Sequence, residues 1–243
     1  MSDIALLGKK HLKLTHIIDM YSSAPRVGLN QFFLALWLSI NRINAMNTSG
    51  KPAKTNRKKQ IITAALQIIS EEGTKSLTMM RIARKIGTTD AALYRHFKSK
   101  HDLMLATIHS IGQDLNATIS QAAATADAPL EKLKNILQAH LEYLEQHRGI
   151  PRLVFSDAVH QQDPVLRKAV LDITNGYLNI VRNVLASAVE HSQVKGDIDT
   201  ESTAFAFLGL IQTTCFIWSL SEFNFPISQR AAALWRAFSE SLS

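Results

Sequence analysis

Downstream of residue 56, apolar residues return every three or four positions, the spacing that lines one face of an α-helix, and alternating runs are scarce. The pattern predicts an all-α chain. Its first firm helix spans about residues 56–72, with Ile61, Ile62, Ala65, Leu66 and Ile69 as the apolar stripe and Gly73 as the stop. Residues 77–103 read as two short helices around a glycine, followed by the start of a longer one. Thr78 is placed to cap the first of these, because its hydroxyl can accept from backbone N–H groups in the first turn. Ile82, Ala83 and Ile86 define that helix's buried face, and Gly87 ends it where a residue without Cβ most easily adopts a left-handed cap. Thr88 or Thr89 caps the second helix, over residues 90–97. Leu93 and Phe97 lie four apart and share its inner face.

The remaining pattern predicts six further helical stretches. Ser99, with Asp102 three residues on, opens one that carries Leu103, Leu105, Ile108, Ile111 and Leu115 to about residue 121. After a break ending at Pro129, residues 130–147 place Leu133, Ile136, Leu137, His140, Leu141 and Leu144 on one face. Gly149 and Pro151 separate this helix from a short segment, residues 152–160. Asp163 and Pro164 open a long helix to about residue 191. Thr200 caps the next, residues 201–222, which is apolar nearly all round and so must be covered on several sides. Pro226 breaks it, and residues 227–242 form the last helix.

Charge divides the chain. Residues 47–109 hold twelve Lys and Arg against four acids, a net +8, whereas residues 110–243 stand at −4. A basic block beside an acidic remainder points to nucleic acid at one end and another task at the other. Lys51, Lys54, Arg57, Lys58 and Lys59 form a basic arm suited to lie along phosphates or reach a minor groove. Cys215 is the one cysteine, which excludes an intrachain disulfide and a cysteine-based zinc site and fits a reducing cytoplasm. The histidines are scattered without ligand spacing to carboxylates, so no metal or other cofactor is expected. No phosphate loop or nucleophile elbow occurs, so no enzyme is expected.

Residues 1–45 do not resemble the rest. The apolar run over residues 27–40 is well short of the roughly 20 residues a bilayer span needs. No small-residue cleavage site follows it cleanly. The reading preferred here is upstream frame, with translation starting at Met46; a membrane-surface or partner helix is the alternative. The expected domains are this extension (residues 1–46), a DNA-binding domain (residues 47–103) and a helical body (residues 104–243).

The short helix after Gly87, with small residues near its start and a tyrosine and bases around it, suits a DNA groove. Gly73, Thr78, Ile82-Ala83, Gly87, Leu93-Tyr94, His96-Phe97 and Lys100 stand at the spacing of the TetR family's N-terminal pattern, and the chain resembles a TetR-family transcriptional regulator. It departs at Thr88-Thr89, where Val-Ser is usual, and at Ala91-Ala92. The resemblance implies a three-helix helix-turn-helix domain, a C-terminal helical ligand-binding and dimerisation domain, and about nine helices in all. It also implies a cytoplasmic, nucleoid-associated homodimer that binds a palindromic operator, represses, and is released by a small apolar or amphipathic effector.

By motif position, Thr78, Tyr94, His96 and Lys100 would contact phosphates. Thr88, Thr89, Asp90, Ala91 and Arg95 would lie near base edges or backbone. Tyr94 could be a core aromatic, but Leu93 and Phe97 already claim the inner face. His96 could instead bond within the domain. Asp90 could accept from a cytosine amine or serve the helix dipole. The family's effector pocket would draw on Leu141, Phe155, His160, Tyr177, Val181, Phe207, Ile211 and Trp218, each of which could equally be ordinary core. The dimer would be built on Phe205, Leu208, Phe216, Leu234, Trp235 and Phe238. The alternative function is a DNA-bound interaction protein without a small-molecule effector, nucleoid-associated or linked to division; the string ALYRHF also occurs in the family's division inhibitor.

Overall fold

The computed structural model describes residues 54–242, and the expectations placed on residues 1–46 lie outside them. Nine α-helices follow one another among the described residues: α1 (Lys54–Glu72), α2 (Met79–Lys85), α3 (Asp90–Tyr94), α4 (Lys100–Ala123), α5 (Pro129–Gln146), α6 (Gly149–Val154), α7 (Pro164–Glu190), α8 (Thr200–Leu220) and α9 (Ala231–Glu240). Short turns of tighter or wider helix join several of them, at Thr74–Ser76, Ala158–Gln162 and Ile227–Arg230.

Most helix starts are fixed by short polar side chains. Thr78 accepts from the Arg81 N–H at 3.2 Å, Thr89 from Ala92 at 3.3 Å and Ser99 from Asp102 at 3.0 Å. Asp163 accepts from both Val165 and Leu166 at the head of α7. α8 is capped by Asp199, one residue before the expected Thr200. Each bond satisfies an N–H that the helix itself leaves orphaned.

Helices α1–α3 form a head around Ile61, Ala65, Ile69, Leu77, Ile82 and Leu93, all buried, with Phe97 closing it. So small a unit has little core of its own. It rests on the body through α4, which packs against α5 and α7, and through α6, which packs against α1. The break between α5 and α6 falls at His147 and Arg148, just before Gly149 and Pro151. Both lie in the first turn of α6, where the N–H that proline lacks has no helical partner anyway. Gly149 is dictated by close approach, since a Cβ at this position would stand 2.3 Å from the Leu66 carbonyl oxygen of α1. Arg152 of α6 reaches the same helix and donates to the Ser70 carbonyl at 2.6 Å.

In the body, α8 is long and apolar enough by length and composition to cross a bilayer. One side of it packs inward through Ala204, Phe207, Ile211, Cys215 and Trp218. Phe207 meets Phe238 of α9 edge-on at 5.1 Å, and the Trp218 indole N–H donates to the Phe225 carbonyl at 2.7 Å. The other side of α8 leaves Phe205, Ile217 and Leu220 more than half exposed.

Among the described residues, Thr107 and His140 bring polar side chains into the core. Thr107 bonds back to the Leu103 carbonyl of its own helix. His140 Nδ1 lies 3.2 Å from the Tyr177 hydroxyl, and burial pulls its pKa down to about 4 while pushing that of Tyr177 upward.

Two stability predictions follow from these contacts. Gly149→Ala should cost about 2–3 kcal/mol in urea unfolding, the range of an overpacked site, because a backbone carbonyl cannot move aside as a side chain can. Gly176→Ala in α7, where nothing lies within 4 Å of the added methyl, is the contrasting case and should be neutral or gain up to about 1 kcal/mol. The second concerns acid. His140 stays neutral in the folded chain down to about pH 4, whereas in the unfolded chain it takes a proton below about 6.5. Its contribution is therefore fully present above that value and lost as pH falls towards 4. Between pH 7 and about pH 4.5 the wild-type chain should lose about 2–3 kcal/mol more than His140→Gln, measured as the difference in unfolding free energy.

Candidate DNA-reading face and effector cavity

The turn between α2 and α3 is closed by backbone geometry. Gly87 adopts φ +65, in the left-handed region, and the Thr88 N–H then donates to the Ala83 carbonyl at 2.9 Å. That redirects the chain into α3, whose cap Thr89 is exposed. Leu93 and Phe97 turn inward, leaving Asp90, Ala91, Tyr94 and Arg95 exposed together; Thr88 and His96 are half-buried beside them. Thr78, at the start of α2, is exposed as well. Asp90 sits in the first turn of α3, where its charge suits the helix dipole.

The bases of the head have different fates. Arg81 pairs with Glu72, and Lys85 with Glu71 at 2.9 Å, so two of them stitch α2 to the end of α1. Arg57 donates to Gln60 along α1 at 2.6 Å, and Lys58 stands over the Phe97 ring at 5.7 Å. Lys54 is the first residue of α1. Lys100 is half-buried and donates to the Thr74 carbonyl at 3.2 Å, and burial lowers its pKa. Lys59, Lys75, Arg84, Arg95 and Lys98 remain exposed and make no ion pair among the described residues.

The body holds a partly open cavity of about 110 Å³. Ile108, Ile111 and Leu115 of α4 form one wall, His140 and Leu144 of α5 another. Ile150, Pro151, Val154 and Phe155 come from α6 and its end, Val170, Ile173, Thr174 and Tyr177 from α7, and Leu208, Ile211, Gln212 and Cys215 from α8. The lining is aliphatic and aromatic with few polar atoms, the usual character of a small-molecule site. Burial pushes the Cys215 thiol up to about 12, which leaves it protonated and unreactive.

Of the eight side chains named for a pocket, Phe155, Tyr177 and Ile211 face this cavity. Leu141, Val181, Phe207 and Trp218 are buried elsewhere in the core. His160 is exposed, with Nε2 2.8 Å from the Val154 carbonyl. The walls from α4 and His140 were not among the eight. Their signal in the sequence was present: Ile108, Ile111 and Leu115 share one helical face, and His140 interrupts an otherwise apolar stripe. Of the six interface positions, Phe205 and Phe216 are exposed, Leu234 and Trp235 half-buried, Leu208 lines the cavity, and Phe238 is buried against Phe207.

Two paths lead from the cavity to the head. α6 faces the cavity with Ile150, Pro151 and Val154 and grips α1 with Gly149 and Arg152. α4 carries three wall residues and begins at Lys100, beside the head; His101 in its first turn places Nε2 2.9 Å from the Asp163 carboxylate at the start of α7.

The family model for bacterial regulatory proteins of the tetR family matches residues 61–107, and that for the C-terminal region of YsiA-like proteins matches residues 110–239. Nucleoid occlusion factor SlmA of Vibrio atlanticus (strain LGP32) is 25% identical over 187 residues, which cover 76% of this chain and 95% of that protein. The fatty acid metabolism regulator protein of Bacillus subtilis (strain 168) is 25% identical over 169 residues, covering 69% and 86%. Among solved structures, the fatty acid degradation regulator FadR from Bacillus halodurans superposes with a TM-score of 0.70 at 22% identity, covering 80% of this chain and 98% of that one. FadR from Bacillus subtilis in complex with stearoyl-CoA gives 0.67 at 22% identity, covering 76% and 99%. With a helix-turn-helix head in place and the C-terminal match alone spanning more than half its length, the chain belongs to the TetR family of DNA-binding bacterial regulatory proteins.

Proposed function

We propose that this protein is a cytoplasmic repressor that binds a palindromic operator as a homodimer and leaves it when a long-chain acyl compound enters the body. The observation that carries the reading is the apolar cavity walled by α4 and α6, the two helices that also hold the head. A ligand that displaces either wall changes where the head sits, and it shifts the equilibrium only by binding one arrangement better than the other. Bacillus FadR, with its stearoyl-CoA complex, supports the acyl class as effector. On the DNA side, Thr89, Asp90, Ala91 and Arg95 face the bases or adjoining backbone with Thr88. Thr78, Tyr94 and His96 contact phosphates, and Lys54 and Arg57 follow the flanking backbone. Lys100 supports the turn at Thr74 and presents its charge from there. Two heads must stand about 34–36 Å apart, one DNA turn. The exposed apolar side of α8, with Phe205, Phe216, Ile217 and Leu220, supplies the surface for a two-fold partner, helped by Leu234 and Trp235 of α9.

The SlmA relatives support a second reading, a DNA-bound factor that acts through protein partners without an effector. The two separate on one experiment. Fluorescence anisotropy on an operator selected from random DNA should show release by palmitoyl-CoA at micromolar concentrations, and genomic mapping should find few sites, at promoters. Persistence of the complex at saturating palmitoyl-CoA, with sites dispersed over the chromosome, would instead establish the second reading. The dimer is tested apart from the effector: Ile217→Glu should sediment as a monomer and bind the palindrome at least about tenfold more weakly, since a buried unpaired carboxylate opposes association.

A further inference from the structure

Beside Thr174 and Gln212, the cavity wall carries a hydrogen-bonded pair, His140 and Tyr177, whose bonding is asymmetric. His140 and Tyr177 are both more than nine-tenths buried, with His140 Nδ1 3.2 Å from the Tyr177 hydroxyl. Neither side chain makes another hydrogen bond among the described residues. Two proton arrangements are open to such a pair. If Nδ1 carried the proton, it would donate to the phenol oxygen, and the phenol O–H and the Nε2 lone pair would both be left without partners. If the phenol donates to Nδ1, the proton of the neutral ring sits on Nε2, and one group alone is left unsatisfied, an N–H donor. The second arrangement wastes less hydrogen-bonding capacity in a buried place, where each unmade bond is costly. Among the described residues, the one fully enclosed side-chain polar atom without a partner is Asn116 Oδ1. Nε2 of His140 is therefore not fully enclosed, and His140 is one of the residues that line the cavity.

We propose that His140 Nε2–H, held in that tautomer by Tyr177, is the recognition group of the cavity, and that it selects an apolar ligand bearing a neutral carbonyl acceptor: a thioester, ester or ketone. A free carboxylate is disfavoured because the lining contains no lysine or arginine, so its charge would be desolvated without a partner. The ring does not supply that charge, since burial holds it neutral at physiological pH. The proposal rests on the reading of the cavity as the effector site and adds the feature by which a carbonyl-bearing acyl group is told from a plain hydrocarbon.

The test uses the full chain and three probes of similar size: 2-undecanone, undecane and decanoate. Long-range proton–nitrogen NMR of histidine-labelled wild-type protein should show Nε2 protonated and Nδ1 bare for His140, with the Nε2 proton shifting on addition of 2-undecanone. In titrations, His140→Phe should bind 2-undecanone about tenfold more weakly than wild type, the loss of one hydrogen bond to a buried acceptor. Its affinity for undecane should change less than about threefold, the range of a cavity contact altered by roughly one methylene or less. Tyr177→Phe, which keeps the imidazole, should return a mixture of tautomers and an intermediate affinity. A proton on Nδ1 in the wild-type chain overturns the proposal whether or not either variant folds. If undecane and 2-undecanone both bind and respond alike to His140→Phe, or if decanoate binds as tightly as the ketone, the recognition group is refuted while the effector cavity stands. If none of the three binds while palmitoyl-CoA still releases the operator, the recognition group is refuted; if palmitoyl-CoA also fails to release it, the effector reading falls with it.

Discussion

The seat of α6 on α1 is the contact on which the rest of the molecule depends. The three-helix head is too small to hold itself together on burial alone. Its first helix is therefore clasped from the body side, by a backbone approach that leaves no room for a methyl group at Gly149 and by an arginine that satisfies the Ser70 carbonyl near the end of α1. The helix making this clasp is only six residues long, and three of those six form cavity wall. A short helix with a tight contact on one side and a void on the other has little freedom to absorb displacement internally. Movement of its cavity side is carried to α1 because close-packed interfaces resist compression.

The cavity combines two demands that pull against each other. An apolar lining draws in a chain of methylenes with little selectivity, because such burial is non-directional and scales with area. Directionality has to come from polar atoms, and polar atoms in a void destabilise the unliganded chain unless they satisfy one another. The His140–Tyr177 pair meets both demands by closing on itself at one end and staying open at the other.

Much of this was legible in the sequence for local reasons. Thr78, Thr89 and Ser99 cap because their side chains reach their own backbone, and Gly87 turns because of its own φ. Leu93 and Phe97 point inward because four residues make about one turn. These properties travel with a few neighbouring residues. Gly149 and Pro151 read as punctuation between helices because the same residue types often stop them; that Gly149 also serves a close approach depends on a carbonyl at Leu66, far away in the chain. The cavity illustrates the same limit. Periodicity marks Leu141, Val181, Phe207 and Trp218 as inward, and they are buried. It carries no information on which inward side chains meet another side chain and which meet a void, since that depends on how several helices cross. His160 and His140 show how burial sorts two chemically identical residues, one on the surface and one in the core.

The ion pairs at the end of α1 carry a consequence for the ionic atmosphere of the complex. Glu71 and Glu72 hold Lys85 and Arg81, so the charge that binds α2 to α1 is compensated within the head and displaces few condensed ions from a duplex. The counterions released on docking are then set by the bases that make no ion pair among the described residues, Lys59, Lys75, Arg84, Arg95 and Lys98 foremost, rather than by the full count of Lys and Arg in the basic block. The hold of a head built this way on DNA weakens less steeply with salt than its composition suggests.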